Sequence, residues 1–130
     1  MSVRCRHLLV KHSGSRNPVS RRTQQAVTRS KSEALLLLQE LQQQLQQQQQ
    51  ELEQQQLPLE QRQQQQQQLF AALAQQHSDC SSFRQGGDLG FFSKGQMQQQ
   101  FEFAAFNLLP QQLSDVVESD SGLHLILRIA

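Results

Sequence analysis

Two histidines and one cysteine are the side chains of this sequence whose types best suit chemistry. His7 and His124 each lie among apolar residues, near opposite ends of the chain. A lone histidine in such a place is usually a hydrogen-bonded core residue, but two on adjacent strands could hydrogen-bond each other. Cys80 stands in a polar stretch, and a cysteine beside a histidine can form an activated nucleophile. No evident oxyanion hole or third triad member accompanies it, so a non-covalent role is the favoured interpretation.

Cationic residues are concentrated in residues 11–29, a segment otherwise rich in Ser, Gly, Asn and Pro. The chain as a whole carries a net charge of only +1, so no general field of one sign would attract nucleic acid or an anionic membrane. Any anion site must therefore be local. A flexible, solvated loop is the ordinary interpretation of this segment, and a phosphate site is the alternative. The basic residues are Lys11, His12, Arg16, Arg21, Arg22 and Arg29.

The elements that would position these residues begin with a strand and a helix. Cys5–Val10 is predominantly apolar, which predicts a short strand inside a sheet. Ser30 and Glu33 have the spacing of a capping box, which predicts that a helix begins near Ser30. Apolar residues then recur at helical spacing and indicate one stripe that faces the core. They are Ala34, Leu38, Leu41, Leu45 and Leu52.

Glutamine dominates residues 39–68, and it is a fair helix former that gives no specific packing. Pro58 must end or kink the helix, because proline lacks a backbone N–H and clashes with the preceding turn. We therefore expect two helices joined around Gln54–Pro58. The glutamine segment is interpreted as a low-complexity expansion that lengthens the helical region; self-association into β-rich aggregates is the less favoured alternative. The second helix should face the core with Leu69, Phe70, Leu73 and Ala74.

The remainder of the chain predicts a loop, a third helix and two more strands. Ser78–Gly90 is polar and glycine-rich, as a structured loop with positive φ angles would be, and Phe91 and Phe92 follow it as the start of a strand or a buried turn. This order of elements predicts an α+β fold with a small antiparallel sheet, in one domain spanning residues 1–130. The third helix and the last two strands are expected at Gln98–Asn107, Asp115–Ser119 and Leu123–Ile129.

Composition also restricts the compartment and the cofactors. Cys5 and Cys80 lack the paired spacing of a disulfide framework or a zinc site, so we expect a reducing compartment, no metal and no cofactor. The N-terminal residues lack the apolar core of a secretory signal, and no run approaches the length of a membrane span. We therefore expect a monomer that is cytoplasmic and nuclear and that binds neither nucleic acid nor membrane.

Three stretches of the sequence together form a recognisable pattern. They are RCRHLLVKHS at 4–13, HSDCSS with GGDLGFF at 77–92, and DSGLHLILR at 120–128. In order and spacing they resemble the three signatures of the parvulin family of peptidyl-prolyl cis/trans isomerases, and only the glutamine region departs from the family. The resemblance implies a four-stranded antiparallel sheet surrounded by about four helices, with the substrate proline held on the open face of the sheet. It also implies the branch directed to phosphorylated Ser/Thr-Pro bonds, in the form without a WW domain.

Rotation about an X-Pro amide makes and breaks no bond, but it must cross a barrier of about 18–20 kcal/mol. A catalyst can hold the proline ring in an apolar pocket and bind the twisted amide better than either planar form. The resemblance implies that Leu89, Met97 and Phe101 form this pocket together with Gln98, and that Phe92 lies behind it. Without the resemblance these side chains would be taken for ordinary core residues.

The resemblance further implies which polar groups surround the amide. His7 and His124 would form a hydrogen-bonded pair that shapes the site electrostatically, with Cys80 and Ser121 nearby. Asp79, which precedes the cysteine, is expected to accept hydrogen bonds from backbone donors of the loop. Covalent catalysis by the cysteine is the less favoured alternative.

In the phosphate-directed branch that this sequence resembles, one lysine and two adjacent arginines of the basic segment bind the phosphate. Lys11 and Arg16 stand at the matching positions, but Asn17 occupies the place of the second arginine. Arg21 or Arg22 could reach in as a substitute. A charged hydrogen bond contributes roughly 1.5–3 kcal/mol, so the loss of one forked donor predicts a weaker preference for phosphate.

These observations predict an isomerase that rotates X-Pro bonds in phosphorylated Ser/Thr-Pro proteins or peptides, by non-covalent stabilisation of the twisted amide. One alternative is a parvulin that is indifferent to phosphate. A second is a non-catalytic phosphopeptide-binding module, and the presence of all the polar site residues argues against it. A cysteine hydrolase is the third. The polar site residues are His7, Cys80, Ser121 and His124.

Overall fold

A four-stranded antiparallel sheet forms the centre of the molecule. The computed structural model describes residues 1–130. The first and last strands of the chain are the central pair of the sheet, which has the order β2-β1-β4-β3. This arrangement brings the two ends of the sequence together. The strands are β1 (Ser2–Val10), β2 (Asp88–Ser93), β3 (Val117–Ser119) and β4 (Gly122–Arg128).

Three α-helices and one 3₁₀ helix surround the sheet, where about four helices were expected. The predicted capping box is confirmed, because Ser30 Oγ accepts from the N–H of Glu33 and Glu33 Oε1 accepts from the N–H of Ser30, each at 3.1 Å. Pro58 immediately precedes the second helix, as predicted. The helices are α1 (Lys31–Gln54), α2 (Leu59–His77) and α3 (Gln99–Asn107), and the 3₁₀ helix is Ser81–Gln85.

Each face of the sheet has its own apolar cluster, because side chains alternate between the faces along a strand. On one face, α1 and α2 cover side chains of β1 and β4 such as Leu8 and Leu125. On the other face, α3 covers Cys5 and Ile126. His7 and His124 fall on this second face, at alternating positions with Cys5 and Ile126. The alternation therefore directs both histidines toward α3.

The glutamine-rich segment is helical and takes part in the core. All five apolar residues of the predicted α1 stripe are buried, and α2 buries Phe70, Leu73 and Ala74, while Leu69 is partly buried. Most of the glutamines lie on the outer sides of the two helices. The apolar stripe thus determines the fold of this region, whatever the composition between its leucines. No helix of the molecule combines the length and the apolarity that a membrane crossing requires.

The basic segment and several strand boundaries differ from the sequence-based expectation. Strand β1 begins at Ser2 and not at Cys5, and β3 begins at Val117 and not at Asp115. The basic segment is more structured than its composition indicated, because Val19 and Ala26 pair in a small antiparallel bridge and Arg16 N–H donates to Asp120 O at 2.8 Å. The strand expected at Phe91 begins already at Asp88. Leu89 is therefore a strand residue.

Candidate active site

Four side chains form a continuous hydrogen-bonded chain at the centre of the site. His7 Nδ1 lies 3.2 Å from His124 Nδ1. At the outer ends, His7 Nε2 lies 3.1 Å from Ser82 Oγ, and His124 Nε2 lies 2.6 Å from Ser119 Oγ. Only one of the two Nδ1 atoms can carry the hydrogen they share, so one imidazole donates in this bond and the other accepts. The histidine pair implied by the family resemblance is present.

Strand register brings the two histidines together. His7 lies opposite Ile126, and His124 lies opposite Leu9, so the histidines are diagonal neighbours on one face of the central strand pair. Phe101 of α3 meets both imidazoles edge-on, with ring centroids 5.4 Å and 5.2 Å apart. The phenyl ring thus holds both imidazoles in place from above.

Burial and charge set the protonation states of the site. Burial, with the added charge of His7, holds the pKa of His124 well below its ordinary value, so its ring is neutral near pH 7. For Cys80, burial alone would raise the pKa of the thiol, but His7 and Ser82 stabilise the thiolate and together lower the pKa to about 6. The cysteine is therefore largely a thiolate near neutral pH.

An apolar cleft of about 170 Å³ opens beside the hydrogen-bonded histidines and serines. Every residue predicted for the proline pocket lines it, and so do all four predicted polar residues. Phe92 packs behind Phe101, with centroids 6.0 Å apart, as implied. Leu9 and Ser119 also line the cleft, and the sequence did not single them out. The predicted lining residues are His7, Cys80, Leu89, Met97, Gln98, Phe101, Ser121 and His124.

Gln98 connects the cleft to the turn between β3 and β4. Its Nε2 donates to Ser121 Oγ at 2.9 Å, and its Oε1 accepts from the N–H of Asp120 at 3.1 Å. The Ser121 N–H in turn donates to Ser119 Oγ. Gln98, which precedes α3, and Ser119, which also bonds to His124, thereby fix Ser121 at the cleft.

Lys11 lies at the start of the basic segment and is largely buried. Its Nζ donates to the carbonyl oxygens of Asn17 at 2.9 Å and Val19 at 2.7 Å. An ammonium group has three donors, so one remains for a ligand. Burial and then the charge of Arg21 lower the pKa of Lys11 from its ordinary value. The other predicted phosphate residues are Arg16, Arg21 and Arg22, of which the first two are exposed and the last is half-buried.

Asp79 is a buried carboxylate between the cysteine and the basic segment. It accepts from the backbone N–H of Lys11 at 3.0 Å, which confirms the expectation that it binds backbone donors. It also accepts from Arg29 Nη1 at 3.0 Å, and Arg22 Nη2 lies 3.9 Å away. The sequence did not indicate these arginine partners.

Ser82 and Ser119, which hydrogen-bond to the two histidines, are residues of the candidate site that sequence reasoning missed. Each lies in a polar stretch with other serines nearby, and only the tertiary structure distinguishes the serine that meets a histidine.

No group of three or more His, Cys, Asp or Glu side chains is placed to hold a metal ion. The site is an apolar ring pocket edged by a thiolate and by a hydrogen-bonded pair of imidazoles. A four-stranded antiparallel sheet with such a site is what the resemblance to the parvulin family implies.

Comparison with known proteins agrees with that class. A model of the PPIC-type peptidyl-prolyl isomerase (rotamase) domain matches residues 35–130. The peptidyl-prolyl cis-trans isomerase NIMA-interacting 1 of Theileria annulata is 47% identical over 128 residues, covering 98% of this chain and 80% of the relative. The isomerase Pin1 of Digitalis lanata is 38% identical, covering 97% of this chain and 94% of its own length. The solution structure of TbPIN1 superposes with a TM-score of 0.75 at 40% identity, covering 99% and 97% of the two chains. The chain belongs to the parvulin-type peptidyl-prolyl cis/trans isomerase family.

Proposed function

We propose that this peptidyl-prolyl cis/trans isomerase prefers bonds in which a phosphorylated serine or threonine precedes the proline. The main support is the position of the basic segment beside the cleft. The backbone N–H of Arg16 bonds to Asp120, whose neighbour Ser121 lines the cleft, and Lys11 lies at the end of the strand that carries His7. Phosphate on the residue before proline would meet these cations while the ring occupies the pocket.

Catalysis requires that the twisted amide be bound better than the planar one. Leu89, Met97 and Phe101 would hold the proline ring, which leaves the preceding carbonyl as the group that rotates. A planar amide carries partial negative charge on its oxygen through resonance. A thiolate at Cys80 disfavours that charge and so weakens the double-bond character of the C–N bond. His7 stabilises this thiolate, and the neutral ring of His124 holds His7 in place.

NMR exchange spectroscopy tests the proposal directly. We would compare a phosphoSer-Pro peptide with its unphosphorylated and Glu-Pro counterparts, each with a catalytic amount of the protein. Exchange cross-peaks that are much stronger for the phosphorylated peptide are the expected result. Binding shifts without enhanced exchange for any peptide would instead indicate a non-catalytic binding module.

A parvulin that is indifferent to phosphate is the second candidate, because Asn17 stands where the resembled branch has an arginine. Equal enhancement for all three peptides would establish it. The Lys11→Ala/Arg16→Ala double variant separates the two cases, because it should abolish a phosphopeptide preference in the first and change little in the second.

A further inference from the structure

The basic segment contains four arginines, and the structure divides them into two pairs. Arg22 and Arg29 face the buried carboxylate of Asp79. Arg29 Nη1 also donates to the carbonyl oxygen of Lys11 at 3.0 Å, so its guanidinium is part of the internal packing of the loop. Arg16 and Arg21 are exposed, and their guanidinium groups make no ion pair and no hydrogen bond within the chain.

Asp79 requires its two arginines. Its side chain is only 1% exposed, and a buried carboxylate without a counter-charge is strongly destabilising. Oδ2 is satisfied by Lys11 N–H and Arg29, but Oδ1 accepts no hydrogen bond, and Arg22 Nη2 at 3.9 Å is the cation that offsets its charge. Moving Arg22 out to a ligand would leave this oxygen uncompensated.

A backbone hydrogen bond also distinguishes Arg21 from Arg22. The backbone N–H of Arg21 donates to the carbonyl oxygen of Asp79 at 3.0 Å, which anchors Arg21 beside the residue that precedes Cys80. Its side chain remains in solvent. The charge of Arg21 is near enough to disfavour the charged form of Lys11, and the charge of Arg16 acts in the same direction. Two unpaired guanidiniums thus lie near enough to one partly satisfied ammonium to affect its charge.

We propose that Arg21 binds the substrate phosphate together with Lys11 and Arg16, in place of the arginine that Asn17 replaces, and that Asp79 keeps Arg22 and Arg29 from that role. The inference rests on the proposed phosphate preference and assigns its third cation. Together, three cations would offset the charge of a phosphate dianion and supply forked donors that a lone lysine lacks.

Two variants at adjacent positions, each with the same loss of charge, test whether Arg21 binds the phosphate. Arg21→Gln and Arg22→Gln each remove one positive charge, so a general electrostatic effect would be similar in both. We expect Arg21→Gln to raise KM for the phosphoSer-Pro peptide about fivefold, with little change for the unphosphorylated peptide. Arg22→Gln should leave the ratio between the peptides within about twofold and lower the thermal stability instead. If the Arg22→Gln variant does not fold, Arg22→Lys keeps the charge at Asp79 but removes the guanidinium, and it should leave KM for the phosphoSer-Pro peptide unchanged because Arg22 takes no part in binding.

A rescue variant tests whether Arg21 takes the place of the missing arginine. Asn17 contributes its backbone carbonyl to Lys11, and Asn17→Arg retains that group. Asn17→Arg added to Arg21→Gln should restore the phosphopeptide KM. A wild-type protein without phosphate preference would refute the proposed function itself. A wild type with the preference, retained in Arg21→Gln or lost in Arg22→Gln, would refute only the assignment of Arg21.

Discussion

The two cysteines of the molecule have opposite environments. Burial raises the pKa of Cys5 to about 11, because its thiol faces the apolar cluster under α3. Cys80 is also largely surrounded by protein, but His7 and Ser82 favour its thiolate and lower its pKa to about 6. The same side chain therefore serves as a core residue at one position and as an anion at the other.

Alkylation should show this difference. We expect iodoacetamide to modify Cys80 with a rate that rises through about pH 6 and levels off above it, because the thiolate is the reactive form. Cys5 should remain unmodified in the folded protein. Mass spectrometry of peptides from reactions at pH 5 to 9 measures both rates. A Cys80 rate that rises only above pH 8 would contradict the effect of His7.

His124 should also make the stability of the protein depend on pH. Burial and the charge of His7 hold its pKa below the ordinary 6.5, so the unfolded chain takes up a proton under conditions where the folded chain does not. Stability should therefore fall as pH decreases below about 6.5, by at most about 1.4 kcal/mol per pH unit. Urea unfolding from pH 7.5 to 5 measures the slope. His124→Leu should reduce it, and an unchanged slope in that variant would assign the effect to other groups.

Among the elements, the first turn of α1 depends on a local signal. Ser30→Ala removes the acceptor for the Glu33 N–H and should lower the free energy of unfolding by about 1 kcal/mol. Ser32→Ala is the matched control, because Ser32 is exposed in the same turn and its hydroxyl makes no hydrogen bond. Urea denaturation compares the two variants. Equal effects would mean that helix propensity, and not the cap, stabilises this end.

The glycine turn before β2 depends instead on close packing. A Cβ at Gly87 would lie 2.1 Å from the carbonyl oxygen of His7, and φ there is +81°. Gly87→Ala should therefore cost about 3 kcal/mol or more and reduce isomerase activity by displacing the His7 strand. Gly95→Ala, at φ +92° with open space around it, should cost only about 1 kcal/mol. Unfolding curves and NMR exchange measure the two effects.

The elements differ in how far sequence determines them. The capping box at Ser30, the apolar stripe of α1 and the break at Pro58 are local signals, and each was predicted at its correct place. The site residues came from the family resemblance, since periodicity alone would have left Phe101 in the core. The boundaries of β1, β2 and β3 were less accurate, because the extent of a strand depends on its partners in the sheet.

Long-range polar partners were not predictable. Ser82 and Ser119 complete the histidine chain only because a 3₁₀ helix and an edge strand bring them to the imidazoles. Arg22 and Arg29 are directed inward because Asp79, distant in sequence, is buried against the loop. The composition of the basic segment contains no signal that distinguishes these arginines from their exposed neighbours.

At the scale of the whole molecule, the glutamine-rich helices should behave as a cooperative part of the domain. Leu45→Ala, in the buried stripe, should destabilise the protein by about 2–5 kcal/mol. The Gln43→Glu/Gln47→Lys variant changes two exposed positions one turn apart and should retain or slightly raise stability, with isomerase activity unchanged. Thermal unfolding and NMR exchange test both. Loss of activity in the surface variant would contradict a purely scaffolding role.

The lysine of the basic segment is held by carbonyl oxygens of Asn17 and Val19, groups that every residue type carries. Substitution of the side chains at these two positions therefore leaves the lysine anchor in place. Side chains at positions 17 and 19 can therefore be varied in a mutant library to alter substrate selection while the ammonium group keeps its position.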